Sequence, residues 1–177
     1  MSELNILLAG FGGQGVLFTG RVICYAGLID GNEVSWMPSY GPEMRGGTCN
    51  CSVCISDEPI GSPVVTEPDV LIAMNAPSFE KFIDTVKPGG IVIMDSSLIE
   101  LTTKRTDIRI YKTPATQMAS ENKMIGLASM ILLGKFLEAT GFSDYDTIKK
   151  AVEKSVPERN KHLIEPNMHA VLLGKES

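Results

Sequence analysis

Histidine is nearly missing from this sequence, with two in 177 residues, and aromatic side chains make up only 6%. Basic residues are outnumbered, 16 Lys and Arg against 21 Asp and Glu, and they gather into neither a patch nor a tail. The net charge of −5 therefore argues against a nucleic-acid or anionic-membrane partner. No apolar run reaches the ~18 residues of a membrane span. Glu3 precedes a hydrophobic run too short for a signal peptide, so the expected location is cytoplasmic. Several catalytic signatures are also missing. There is no nucleophile elbow with Ser–His–Asp order, no P-loop, and no pair of carboxylates in an apolar setting. His162 and His169 stand seven apart without other ligands nearby, which gives no metal site.

Cysteine is sparse but clustered: Cys49, Cys51 and Cys54 fall within six residues, with Cys24 alone. In the cytoplasm all four are expected as reduced thiols. The surrounding run, Thr48 to Ile55, reads as a strand. Its period of two puts Cys49, Cys51, Val53 and Ile55 on one face and Cys54 on the other. Three thiolates so divided cannot converge on one ion, and no metal or cluster is expected here.

What is present starts with Asn5-Ile6-Leu7-Leu8-Ala9, an apolar run of strand length. Gly10-Phe11-Gly12-Gly13-Gln14-Gly15 follows with G-x-G-x-x-G spacing, and an apolar helix spans Val16 to Ile29 with Arg21 as its only charge. In this reading Gly10 permits the turn off the strand and Gly12 lets the backbone approach an anion. Gly15 then lets the helix lie close to the sheet. The unpaired N–H groups at the helix start suit a phosphate or carboxylate, though the same glycines also serve a tight strand–helix junction that binds nothing.

Glu33 to Met37 reads as a second strand, but it ends in Pro38-Ser39 without the acidic residue that a nicotinamide ribose requires. Glu33 lies at the wrong end. The next strand is reached through Ser39 to Thr48, too short for a parallel crossover, so these two strands are expected to be antiparallel. Tyr40, Glu43, Arg45, Gly46 and Gly47 in that connection form either a lip over a ligand or partner, or a rigid hairpin tip closed by a Glu43–Arg45 pair. Both glycine-rich blocks should emerge at the same sheet edge.

Further along, Asp57 to Pro63 is a surface linker and Val70 to Met74 a buried strand. Ser78 is a plausible N-cap for a helix over Phe79–Val86, Lys87-Pro88-Gly89-Gly90 ends it, and Ile91–Asp95 is the next parallel strand. Asn75 and Asp95 close their strands and serve as ligand contacts or as helix caps. Arg109–Lys112 is a last strand near an edge. From Ala115 the spacing of Met124, Leu127, Ala128, Ile131, Leu132 and Phe136 predicts a helix stopping at Gly141. Ser143–Lys154 is the final amphipathic helix, and Pro157 to Ser177 is a tail. One domain over 1–177 accounts for the whole.

Together, Gly10 to Val16, Ser39 to Gly47, Ile60-Gly61-Ser62-Pro63, Pro68-Asp69, Lys87 to Gly90 and Asn167-Met168-His169-Ala170 resemble the gamma subunit of 2-oxoacid:ferredoxin oxidoreductases. Ser120 to Lys123 departs from the pattern by being shorter than in many relatives, which bears on the local helix boundary. The resemblance implies a Rossmann-like three-layer α/β domain with a mixed, mostly parallel sheet containing an antiparallel hairpin. It implies a complex that turns a 2-oxoacid and coenzyme A into an acyl-CoA and CO2 while reducing ferredoxin. Thiamine diphosphate and iron–sulfur clusters would reside in the alpha, beta and delta partner subunits. This chain would be inactive alone, with no catalytic residue. It would bind coenzyme A through Gly10, Gly12, Gly13, Gln14, Gly15, Tyr40, Glu43, Arg45, Gly46 and Gly47. The Tyr40–Gly47 form leans toward 2-oxoglutarate or branched-chain substrates. A free-standing dinucleotide-binding oxidoreductase and a scaffold with an empty glycine turn are the alternatives.

Overall fold

Alternating apolar residues that must be covered on both faces build the centre of this protein. A computed structural model describes residues 3–39 and 48–177. The expectations for Tyr40, Glu43, Arg45, Gly46 and Gly47 lie outside the described residues. Six strands, β1 (Leu4–Phe11), β2 (Glu33–Ser39), β3 (Thr48–Ser56), β4 (Val70–Ala73), β5 (Ile91–Asp95) and β6 (Arg109–Thr113), form one sheet in the order β2-β3-β1-β4-β5-β6. β1, β4, β5 and β6 are parallel, while β3 runs antiparallel to both β1 and β2. The expected mixed α/β sheet with an antiparallel pair is thus present.

On one face Ile6, Leu8, Val53, Ile55, Ile72 and Ile93 meet helices α1 (Val16–Ile29), α3 (Ala115–Glu121), α4 (Ala128–Thr140), α5 (Tyr145–Ser155) and α6 (Ile164–Lys175). On the other, Leu7, Leu71, Val92 and Met94 meet Phe79 of α2 (Ala76–Phe82) with Ile83, Val86 and Ile99. Neighbouring residues divide between the two cores as the strand period demands. Each fully buried Ile or Leu contributes roughly 1.5–3 kcal/mol of transfer free energy. The cysteines obey the same rule: Cys49 and Cys51 join the first core, whereas Cys54 turns its thiol to the Ser62 carbonyl.

Several local expectations need correction. Gly10 is not a turn residue, because β1 runs on to Phe11 and Gly10 pairs with Cys49. Its glycine is required by crowding, since a Cβ there would lie 2.9 Å from Val16 Cγ2 and 3.0 Å from Met74 Cβ. Gly15 faces Ser129 of α4 rather than the sheet. The residues that let α1 approach the sheet are Gly20, against Cys51 and Trp36, and Gly27, against Ile55 and Val34. Asn75, not Ser78, caps α2, with its Oδ1 accepting from Ser78 N at 2.9 Å.

The single helix expected from Ala115 to Gly141 is two helices, α3 and α4. Lys123 (φ 56°) and Gly126 (φ 86°) break it in left-handed conformations, leaving Met124 and Leu127 outside either helix. Finally, α5 is not the last helix. A 3₁₀ segment (Glu158–Leu163) and α6 follow, and α6 packs backbone to backbone on α4 where Gly134 and Gly174 meet the facing chain. A Cβ on Gly174 would stand 2.6 Å from the Ile131 carbonyl carbon.

Candidate functional site

The site is built at the carboxyl ends of β1 and β4, which are adjacent and parallel. From β1 the chain crosses to β2 on one side of the sheet, and from β4 it crosses to β5 on the other. That divergence leaves a crevice at the strand ends, the position where open α/β sheets take ligands. Gly13 (φ 90°) and Gly15 (φ 86°) adopt left-handed conformations that only glycine holds without strain, and so bring the chain from β1 into α1 within four residues. The first helical bond is Thr19 N to Gly15 O, at 2.9 Å. The N–H groups of Val16, Leu17 and Phe18 therefore have no acceptor inside the helix. Among the described residues no side chain caps this end, and no acidic residue lies in its first turn. The positive end of the α1 dipole is open to an anion.

Gln14, on the cavity wall, is also bonded within the protein. Its Oε1 accepts from Phe11 N (2.7 Å) and Asn75 Nδ2 (3.1 Å), and its Nε2 donates to the Met74 carbonyl (3.0 Å). One side chain thus ties the end of β1 to the end of β4 and fixes the shape of the turn. Periodicity carries no signal for such a stitch.

Below the turn lies a cavity of about 400 Å³, lined by Gly13, Gln14, Met74, Asp95, Ser129 and Gly126 among others. Asp95 is 1% exposed and fully engaged. Its carboxylate accepts from Ser97 N (3.1 Å), Thr116 N (3.2 Å) and Thr116 Oγ1 (2.6 Å), which anchors the start of α3. It acts as a cap, one of the two roles its position allowed. Among the described residues, Asp95 is the only ionisable side chain on the cavity wall. Ile125, 89% exposed, stands at the rim as an uncovered apolar side chain.

The thiols offer no nucleophile. Burial pushes Cys24, Cys49 and Cys54 up, and it pushes Cys51 to about 12 against a smaller opposing effect of Trp36. Cys51 instead donates its S–H to the Val16 carbonyl in the first turn of α1, at 3.7 Å. Among the described residues no three His, Cys, Asp or Glu side chains are placed to hold a metal ion. Nor is any described helix long and apolar enough to cross a membrane.

The sheet order also bears on dinucleotides. A ribose-binding acid belongs at the end of the strand next to β1. Here β3 occupies that place, and the end of β2 lies two strand spacings away, about 10 Å. Of the expected binding residues, the structure therefore brings Gly13 and Gly15 to the open helix end. It places Gly10 inside β1 and Gln14 in the framework.

Residues 5–177 match the family described as pyruvate ferredoxin/flavodoxin oxidoreductase. The chain is 38% identical over 176 residues to ketoisovalerate oxidoreductase subunit VorA of Methanothermobacter thermautotrophicus, covering 98% of itself but only 36% of that relative. It is 37% identical over 175 residues to 2-oxoglutarate synthase subunit KorC of Methanocaldococcus jannaschii, covering 97% of itself and 92% of the relative. Among solved structures, the gamma subunit of a keto/oxoacid ferredoxin oxidoreductase from Geobacter sulfurreducens superposes with a TM-score of 0.86 at 29% identity, over 99% and 96% of the two chains. The 2-oxoglutarate:ferredoxin oxidoreductase of Magnetococcus marinus, with 2-oxoglutarate, coenzyme A and succinyl-CoA bound, gives 0.88 at 26% identity. The chain covers 99% of itself there and 31% of that protein.

Proposed function

The chain belongs to the pyruvate ferredoxin/flavodoxin oxidoreductase family, and from that premise we propose that it is the gamma subunit of a multisubunit 2-oxoacid:ferredoxin oxidoreductase. Its substrate is 2-oxoglutarate or a branched-chain 2-oxoacid, in keeping with the names of relatives that match it at 37–38% identity. Within the complex the chain receives coenzyme A. The observation that carries this is the start of α1 behind Gly13 and Gly15, uncapped among the described residues, beside a cavity whose one described carboxylate is already engaged. Such a place binds a phosphate through backbone N–H groups and offers no acid–base machinery of its own.

The chemistry then belongs to the alpha, beta and delta partner subunits. Thiamine diphosphate there supplies the decarboxylation, and iron–sulfur clusters pass the electrons to ferredoxin. The thiols of this chain do not fit a cluster, because Cys54 faces away from Cys49 and Cys51. Arg45, which lies between β2 and β3 in the sequence, is proposed to add a charged contact to the phosphate, and the complex works in the cytoplasm.

Two measurements test the reading. The isolated chain should oxidise no 2-oxoacid, and activity should appear only on assembly with its partners. In the assembled complex, Arg45→Ala should raise the apparent KM for coenzyme A by roughly ten- to a hundredfold, in line with a charged hydrogen bond worth ~1.5–3 kcal/mol. It should leave the KM for the 2-oxoacid nearly unchanged. Turnover by the partner-free chain would defeat the proposal. A second reading, in which this face only docks a partner subunit, draws on the bare Ile125 at the rim. It predicts that Arg45→Ala prevents assembly.

A further inference from the structure

The start of α4 repeats the construction of the start of α1. Left-handed Gly126 leads into it, as Gly13 and Gly15 lead into α1. Among the described residues no side chain caps this 13-residue helix, and its first turn holds no acid. Its first internal bonds run from Met130 N and Ile131 N to the Leu127 carbonyl, at 3.0 and 3.2 Å. The N–H groups of Ala128 and Ser129 therefore have no acceptor inside the helix. Gly126, Ala128 and Ser129 line the same 400 Å³ cavity as Gly13 and Gln14. Two helices thus bring their positive ends to one cavity.

A second cavity, of about 280 Å³, opens on the other side of Gly15, bounded by α1, the start of α4, the end of α5, the 3₁₀ segment and α6. Phe18, Leu127, Met130, Val156, Pro157 and Leu163 make it largely apolar. Gly126 and Ser129 line both cavities, so Ser129 stands in the wall between them. Its side chain leans toward the start of α1: a Cβ on Gly15 would overlap Ser129 Oγ, with Ser129 Cβ farther off at 3.2 Å. Ser129 is 3% exposed, and its hydroxyl bonds to no described residue. Yet this oxygen is not sealed, as the unpartnered Ser78 Oγ and Thr113 Oγ1 are. A buried hydroxyl that is unpaired but open to a cavity is a donor awaiting an acceptor from outside the fold.

We propose that the starts of α1 and α4, with the Ser129 hydroxyl between them, form a single site for a phosphoryl group with three free oxygens, as inorganic phosphate or the end of a phosphate monoester. Three separate donor sets are present: N–H groups of α1, N–H groups of α4, and Ser129 Oγ. A phosphoryl group gives each set an oxygen, whereas a carboxylate has two and leaves one set idle. Asp95, the described carboxylate on this wall, is turned to Ser97 and Thr116 at the start of α3. The inference rests on the reading of the α1 turn as a phosphate seat and goes beyond it by assigning α4 and Ser129 to the same anion.

The test titrates the full chain with inorganic phosphate, following backbone amide shifts. The signals of Val16 and Leu17 in α1 and of Ala128 and Ser129 in α4 should move together, with one dissociation constant. Ser129→Ala should weaken phosphate at least fivefold without lowering Tm, since the hydroxyl makes no bond inside the fold; a merely structural serine would do the reverse. Phenyl phosphate then separates the two sources: tighter binding than the free ion assigns the site to a monoester, and equal binding assigns it to phosphate itself. Shifts confined to α1, or phosphate affinity indifferent to Ser129→Ala, overturn the two-helix site and leave the α1 reading standing. Absence of any phosphate response overturns both.

Discussion

The two cavities beside the start of α1 share a wall and differ in how their polar side chains are engaged. In the first, Gln14, Asn75 and Asp95 bond to the protein itself and hold the ends of β1, β4 and β5 in register. The groups left without partners there include main-chain N–H groups. In the second, Arg21 and Asn167 keep atoms with no partner among the described residues. The first cavity is shaped by polar side chains and leaves main-chain N–H groups without partners at its mouth. The second is shaped by apolar packing, and the unpartnered polar atoms beside it belong to side chains. A polar residue on a cavity wall is thus no evidence of ligand contact until its internal bonds are traced.

The change that should matter most forces α6 away from α4, the helix that carries Ser129 of the wall common to both. Gly174→Val places a side chain 2.6 Å from the Ile131 carbonyl carbon, where neither backbone can yield. A loss of ~3 kcal/mol or more is expected, a large fraction of the roughly 5–15 kcal/mol that holds a typical domain. Urea unfolding checks it, and a variant with native stability would mean that α4 and α6 do not meet as described.

Next comes the test of Gln14 as framework. Gln14→Ala strips partners from Phe11 N, Met74 O and Asn75 Nδ2 together, and should lower stability by roughly 2–4 kcal/mol. A variant that loses ligand affinity at unchanged Tm would move Gln14 to the binding side of the comparison.

Alkaline pH probes the sheet beneath α1, where Cys51 bonds to Val16. Its folded pKa is raised from 9.0 to about 12 by burial, so its contribution to stability is complete below the unfolded value. As pH rises from about 9 toward 12 the unfolded thiol ionises while the folded one does not. Stability should then fall by about 1.4 kcal/mol per pH unit from this group. Urea titrations of Cys51→Ala should lack that share of the slope, and an identical slope in both proteins would contradict the assignment.

The smallest effect is expected at Asn167. Asn167→Ala gives up one bond, to Leu163 O, and relieves an unpaired atom, so it should cost under about 1 kcal/mol. A large drop in Tm would make it framework like Gln14, erasing the contrast.

How much of this was legible in the sequence follows from the range of each interaction. The strands announce themselves through local periodicity, and β5 occupies the residues expected, Ile91–Asp95. The antiparallel entry of β3 follows from the length of one connection. The second cavity was not legible, since α6 has no conventional apolar stripe. Its buried face is Asn167, Met168, Ala170, Val171 and Gly174, small residues that make sense only against Gly134 of α4. The break between α3 and α4 was hidden because Met124 and Leu127 keep helical spacing across it. At the turn the glycines were visible but their duties were not. Gly10 and Gly15 answer to Met74 and Ser129, side chains far along the chain.

Gly13 gives the most direct test of the central claim. A Cβ there meets nothing within 4 Å, so it enters ligand space rather than the fold, at a strain of about 1 kcal/mol from the left-handed backbone. In the assembled complex, Gly13→Ala should raise the apparent KM for coenzyme A about tenfold, equivalent to ~1.4 kcal/mol. The KM for the 2-oxoacid and the integrity of the complex should not change. An intact complex whose coenzyme A kinetics match the unsubstituted enzyme would contradict the claim.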